Sequence, residues 1–178
     1  MDEAAVRAIR ADITTVAADA VVNAANQHLA GGGGVDGAIH RAAGPSLMAE
    51  LRERHQGCAT GDAVLTGAGR LQARHVVHAV GPRWRDGEHG EPDQLRSAYR
   101  RAFALAAAHG CATVVSPSIS TGIYGFPIEL AAPIAVQEAR SALTDQSTSL
   151  RQITFALFSD GDLAVFTQAL ESAAPPTS

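Results

Sequence analysis

Asp36 follows four consecutive glycines in the stretch GGGGVDGAIH, downstream of two asparagines set three residues apart, Asn23 and Asn26 in VVNAAN. Together these types suit chemistry on a phosphorylated sugar. An asparagine amide pairs a donor with an acceptor and stays neutral, so it fits a cis diol without repelling a nearby phosphate; it equally fits the local bonds that brace a turn. A carboxylate beside a phosphate cradle opposes the ligand's charge and needs a reason to be there. As a helix cap or first-turn acid Asp36 would contribute about 0.5–2 kcal/mol to stability. As a base acting on a water it would contribute about 10² to 10⁴ in rate. Tyr124 and Phe126 interrupt a second glycine loop, PSISTGIYGFP, in a chain with only 4% aromatic residues. Tyr124 is the ring expected to close over a sugar or base, and Phe126 the one expected in the core. Asp12, in RADI, is placed either to accept from a base's exocyclic amine or to serve as an ordinary turn acid.

A chain of 178 residues, 46% of them hydrophobic, fits one α/β domain with a sizeable core. Residues 1–172 are expected to form it, with the closing AAPPTS as a frayed tail. A net charge of -4 argues against a broad phosphate-neutralising surface, so nucleic acid is not an expected partner, although a local basic pocket is compatible with it. There is no apolar run of membrane length, and MDEAAVRAIR lacks the basic-then-apolar plan of a secretion signal. These features predict a cytoplasmic protein, and without a long exposed apolar stripe a monomer is expected. Cys58 and Cys111 are far apart and outside any CxxC motif, and read as packing residues. His75 and His78, three apart on a strand, must turn to opposite faces and cannot share a metal. No metal site is expected.

Short β-branched or apolar runs bounded by turn residues predict strands at 6–10, 20–24, 63–66, 74–80, 112–116 and 152–158. Alanine-rich stretches with apolar residues at helical spacing predict helices at 37–43, 46–55, 93–109, 129–143 and 162–172. Strands alternating with helices make a largely parallel sheet covered on both faces. Pro133 predicts that the fourth helix starts later than residue 129 or bends near its first turns. Residues 81–92, GPRWRDGEHGEP, read as an exposed loop that Trp84 pins down.

In such sheets ligands sit beyond the carboxyl ends of the strands. Two loops qualify, NQHLAGGGGVDG after the strand AVVNA and PSISTGIYGFP after TVVS. Glycine lets the main chain approach a ligand closely, and helix N-terminal amides favour an anion, so the pair could hold two linked phosphates. A flexible linker is the competing reading of the four glycines, and its placement between a buried strand and a helix counts against it. Gly32 to Gly37 formally match GxGxxG, but NQHLAG separates them from the strand, and the acid required at the end of the next strand has no counterpart where a helix is predicted. A P-loop fails for want of a lysine after the glycines.

Taken together, ADI, VVNAAN, GGGGVDGAIHRAAG, VVHAVGPRW and SISTGIYGFP resemble, in order and approximate spacing, the macrodomains of the MacroD-like branch of ADP-ribose hydrolases. The resemblance spans nearly the whole chain. It implies a three-layer α/β/α fold with a central mixed, largely parallel sheet that binds ADP-ribose. It further implies metal-free, cofactor-free hydrolysis of ADP-ribose esters, with O-acetyl-ADP-ribose and proteins mono-ADP-ribosylated on acidic side chains as substrates. By the same resemblance, Asp12 and Ile13 would contact the adenine and Phe158 would pack against it. The glycine loop, with Gly33, Gly34 and Val35, and residues Ser120, Thr121, Gly122, Ile123 and Tyr124 would wrap the pyrophosphate and distal ribose, with Asn23 on the edge of the crevice. Asn26 and Asp36 would stand at the distal ribose, where Asp36, or a phosphate of the substrate itself, activates the water. Ala11, where the branch usually has glycine, and Ser116, often a larger apolar residue there, are departures that remove no proposed catalytic group.

Three functions follow. An ester hydrolase is favoured by the presence of Asp36 and Asn26; a binding module would recognise ADP-ribose without turning it over; a dinucleotide-dependent oxidoreductase would prefer NAD to ADP-ribose and is disfavoured by the misplaced fingerprint.

Overall fold

A computed structural model describes residues 4–172, so the AAPPTS segment lies outside the described residues. Six strands form one sheet: β1 (Ala5–Arg10), β2 (Ala20–Ala24), β3 (Ala63–Gly67), β4 (His75–Ala79), β5 (Thr113–Ser116) and β6 (Gln152–Leu157). Their order is β1-β6-β5-β2-β4-β3, all parallel except the antiparallel β3 at one edge. Five α-helices cover it, α1 (Gly34–Ala43), α2 (Pro45–Arg54), α3 (Glu91–Ala108), α4 (Ile128–Thr144) and α5 (Asp160–Ser172). The result is the expected three-layer α/β/α arrangement.

Strand alternation assigns the two cores. Ala20 and Val22 of β2 and Val77 and Ala79 of β4 face α3, α4 and α5, in a core whose bulk comes from Tyr99 and Phe103 of α3, Phe166 of α5 and Phe155 of β6. Val21 and Val76 face the other way, onto Ile39 of α1 and Leu47 of α2. Asn23 and His78 fall on this second face, because each lies two residues beyond a valine that packs there. His75 turns to the opposite face and its ring meets that of His109 at 5.4 Å, as the odd spacing requires.

Every helix begins one to three residues earlier than the apolar periodicity predicts. The first turn need not be apolar, since three of its amides need no acceptor within the helix. Pro45 and Pro92 sit in such first turns, and Gly34 opens α1 at φ +59. This correction puts Asp36 inside α1 rather than ahead of it. The α4 helix likewise starts at Ile128, not later, and carries Pro133 within it on the exposed face.

Pro133 has no N–H for the carbonyl four residues back, that of exposed Glu129, which water must satisfy instead. Pro133→Ala should therefore raise unfolding stability by about 1–2 kcal/mol, the restored bond outweighing the freedom gained by the unfolded chain. Urea unfolding of the two proteins checks the sign; a less stable variant would mean that α4 is shaped around the proline.

Candidate active site

The loops that follow β2 and β5 enclose a cavity of about 240 Å³ at the carboxyl ends of the parallel strands. Its walls include Asn26, Gly32 to Asp36, Ser118 to Ser120 and Gly122 to Tyr124. No basic side chain is among these. What the walls offer an anion is main-chain N–H. Gly34, Val35 and Asp36 open α1, and no side chain caps it. Their amides have no acceptor among the described residues, nor do those of Ser120 to Tyr124. Ser120 adds a buried, unpartnered hydroxyl on a residue at φ +70. Uncapped amides at a helix start and along an irregular loop make an anion cradle that needs no cation.

Gly34, the last of the run, and Gly37 just beyond it show why glycine is required. Gly34 takes the left-handed conformation that turns the chain into the helix. A Cβ on Gly37 would lie 2.5 Å from the Gly32 carbonyl, so only glycine lets the loop fold back on the first turn. Asn26 fastens the loop from within, its Nδ2 donating to the Gly31 carbonyl at 3.0 Å and its Oδ1 accepting from the Ala30 amide at 3.2 Å.

Asp36 is 7% exposed and caps nothing. Its Oδ1 accepts from Asn23 Nδ2 at 2.8 Å and lies 3.2 Å from His40 Nε2, one turn along α1. Oδ2 is directed toward Gly32, where an added Cβ would meet it at 3.6 Å. Burying an ion costs several kcal/mol. A charge-assisted bond, at about 1.5–3 kcal/mol, and the helix dipole, at up to about 2 kcal/mol, offset much of that. One oxygen is thus anchored, while the other lies beside Gly32, which lines the cavity together with Asp36.

Asn23 itself is fully buried and lines no part of the cavity; it stands behind Asp36. Behind it in turn are His78, with Nδ1 3.2 Å from Asn23 Nδ2, and Thr66, with Oγ1 3.0 Å from His78 Nε2. Burial, and then the neighbouring His40, push the His78 imidazole down to about 3, so it is neutral. Sequence reasoning weighed His78 only as a metal ligand and passed over Thr66 and His40. The available signals were the spacing of four from Asp36 to His40 and the polar residues on a strand face otherwise made of valine.

Asp12, Ile13 and Phe158 lie outside the cavity wall, at the other end of the same edge. Asp12 Oδ1 holds Thr14 through its amide at 3.0 Å and its hydroxyl at 2.7 Å. Ile13 is buried in the core under α1. Phe158, just past β6, is 52% exposed. Ile123, on the rim of the cavity, is 86% exposed, and Thr121 beside it hydrogen-bonds to Ser118.

The pattern described as Macro domain matches residues 22–135. The chain belongs to the Macro domain family. It is 52% identical over 169 residues to a macro domain-containing protein of Chlorobaculum tepidum, covering 95% of this chain and 97% of the relative. The O-acetyl-ADP-ribose deacetylase 1 of Pantoea vagans is 55% identical over 143 residues, 79% of this chain and 84% of that one. Among solved structures, the Trypanosoma brucei macrodomain in complex with ADP-ribose superposes with a TM-score of 0.85 at 39% identity, covering 93% of this chain and 68% of the other.

In this macrodomain the second loop is braced from two sides. Tyr99, buried on α3, accepts from the Ile119 amide at 2.8 Å and donates to the Pro117 carbonyl at 3.3 Å. Trp84 donates its amide to the Tyr124 carbonyl at 2.8 Å and packs on Phe126, centroids 4.7 Å apart. Arg83 lies 4.8 Å over the Tyr124 ring. The segment carrying Trp84 is clasped by Glu91, whose Oε2 accepts the amides of Arg85, Asp86 and Gly87 and whose Oε1 accepts that of His89 at 2.7 Å. Asp86, His89 and Glu91 bring ligand atoms within 4.8 Å of one another, but both Glu91 oxygens are taken by amides. Cys111 packs in the larger core and Cys58 against Ala25, Leu29, Leu51 and Val80, and burial raises both thiols, Cys58 to about 11. No helix among the described residues is long and apolar enough to cross a membrane.

Burial alone would raise the Glu91 carboxyl, but the converging amides outweigh it and hold it well below the usual carboxylate range. A depressed folded value contributes stability that is complete above the unfolded value, about 4.3, and is lost as pH falls toward the folded one. The native chain should therefore lose stability from about pH 5 downward. Glu91→Gln should be less stable at pH 7 and show a flatter acid limb, read from melting temperatures across that range; parallel acid limbs would contradict the clasp.

Proposed function

We propose that this macrodomain hydrolyses esters of ADP-ribose, removing mono-ADP-ribose from acidic protein side chains and deacetylating O-acetyl-ADP-ribose. The observation that carries the reading is Asp36, held from the sheet through Oδ1 and standing in the wall of a cavity whose two loops leave their amides free. From β1 to β2 there are three strand spacings, on the order of 14 Å in all. The ligand that fits this edge is therefore longer than a single phosphate. Its adenine would lie by Phe158 and Ile13, with the amine toward Asp12 Oδ2; the pyrophosphate would lie between the two amide cradles; the distal ribose would lie by Asn26 and Asp36.

Water then adds to the ester carbonyl as Asp36 Oδ2 takes its proton, with Asn26 orienting the water. The bond between the acyl carbon and the ribose oxygen breaks, and that oxygen takes the proton back. The products are a free carboxyl and ADP-ribose. No metal is needed, because the free main-chain amides of the two loops supply the complement to the phosphates. A phosphate oxygen of the substrate is the competing base.

Release of ADP-ribose from a glutamate-linked mono-ADP-ribosylated protein tests this, with the native chain and Asp36→Ala compared after both are shown to bind ADP-ribose. Native release slowed by about a hundredfold or more in the variant is the expected result. Equal release by both would move the base to the substrate phosphate. Binding by both with release by neither would leave a recognition module.

A further inference from the structure

The residues behind Asp36 form one chain of hydrogen bonds across three adjacent strands, and the proton inventory of that chain has a single solution. Asn23 stands directly opposite His78 in the β2–β4 pairing, and Thr66 of β3 faces the same side; all three are fully buried. The Gly67 carbonyl can only accept, so Thr66 Oγ1 gives its one proton there, at 2.8 Å. Toward His78 Nε2 the hydroxyl therefore accepts, which places the imidazole proton on Nε2. A neutral imidazole has one N–H, so Nδ1 is a bare acceptor. Asn23 Nδ2 meets it with one proton and gives the other to Asp36 Oδ1. This leaves Asn23 Oδ1 buried with no partner. The flipped amide would set its oxygen against both the lone pair of Nδ1 and the carboxylate.

We propose that Thr66 and His78 are positioning residues for Asp36: by fixing the Nε2–H tautomer they force Asn23 to offer N–H to Oδ1, which keeps Oδ2 toward the cavity. The catalytic part of this rests on the hydrolase reading above. Neither residue lines the cavity, so neither need touch substrate.

Thr66→Val keeps the side-chain shape and deletes the acceptor, while Thr66→Ser keeps the hydroxyl; Thr66→Ala repeats the test without filling the strand face should valine fail to fold. Side-chain 15N NMR of the native chain should show His78 protonated on Nε2 and bare on Nδ1, with Asn23 amide protons protected from exchange. In the valine variant that protection and the single tautomer should be lost. Its kcat should fall about tenfold or more, with KM and the ADP-ribose Kd held within about twofold. Serine should restore all of these. A native His78 protonated on Nδ1 overturns the relay, and so does a folded valine variant with native kcat. A native chain that releases no ADP-ribose from either ester would sink the hydrolase reading and with it the catalytic role, while the NMR result still decides whether Thr66 and His78 set the Asn23 amide.

Discussion

A helix start whose amides stay free for a ligand cannot also use its own acid as a cap, and that constraint organises this macrodomain. Asp36 sits in the first turn of α1, where the dipole favours it, yet its anchored oxygen is held from the sheet. The donor must then come from a strand face otherwise made of valine, which is why Asn23 occupies an inward position of β2. Burying Asn23 in turn requires a partner for its second N–H, met by His78, whose own proton is met by Thr66. Each side chain in this series gives a partner to the next, and Asn23 Oδ1 is the one polar atom among them left without one among the described residues.

The same division of labour marks the second loop. Its stem is fastened by Tyr99, Trp84 and the Glu91 clasp, while the amides from Ser120 to Tyr124 remain unengaged. Bracing the loop at its base lowers the entropy cost of arranging its tip around a ligand. Because both cradles are made of neutral amides, an acidic chain with a net charge of -4 can still hold an anion.

All six strands and all five helices of the described residues were legible in the sequence, since the strands read as short β-branched or apolar runs bounded by turn residues and the helices between them as alanine-rich periodic stretches. The helix starts were not. Gly34, Pro45 and Pro92 break the apolar period while fitting a first turn. Both glycine loops and the pairing of Asn26 with Asp36 at one crevice could be read from motif and position. That Asp36 is held from the sheet rather than capping its helix could not, because it turns on which atom lies 2.8 Å from Oδ1. Parity alone sent His75 and His78 to opposite faces, but that His78 stands beside Asn23 depends on strand order and register, which β2 and β4, some fifty residues apart, acquire only on folding. Glu91 reads as one surface acid among many until the loop closes over it.

The central claim, that two amide cradles hold a pyrophosphate while Asp36 presents Oδ2 to the adjoining sugar, is tested most directly by a crystal structure with ADP-ribose bound. Phosphate oxygens are expected about 2.7–3.2 Å from amides among Gly34 to Asp36 and among Ser120 to Tyr124. The distal ribose is expected against Asn26 and Oδ2, with the Asn23 bond to Oδ1 intact. A pyrophosphate lying outside the two loops, or a ribose that leaves Asp36 facing only protein, would contradict it.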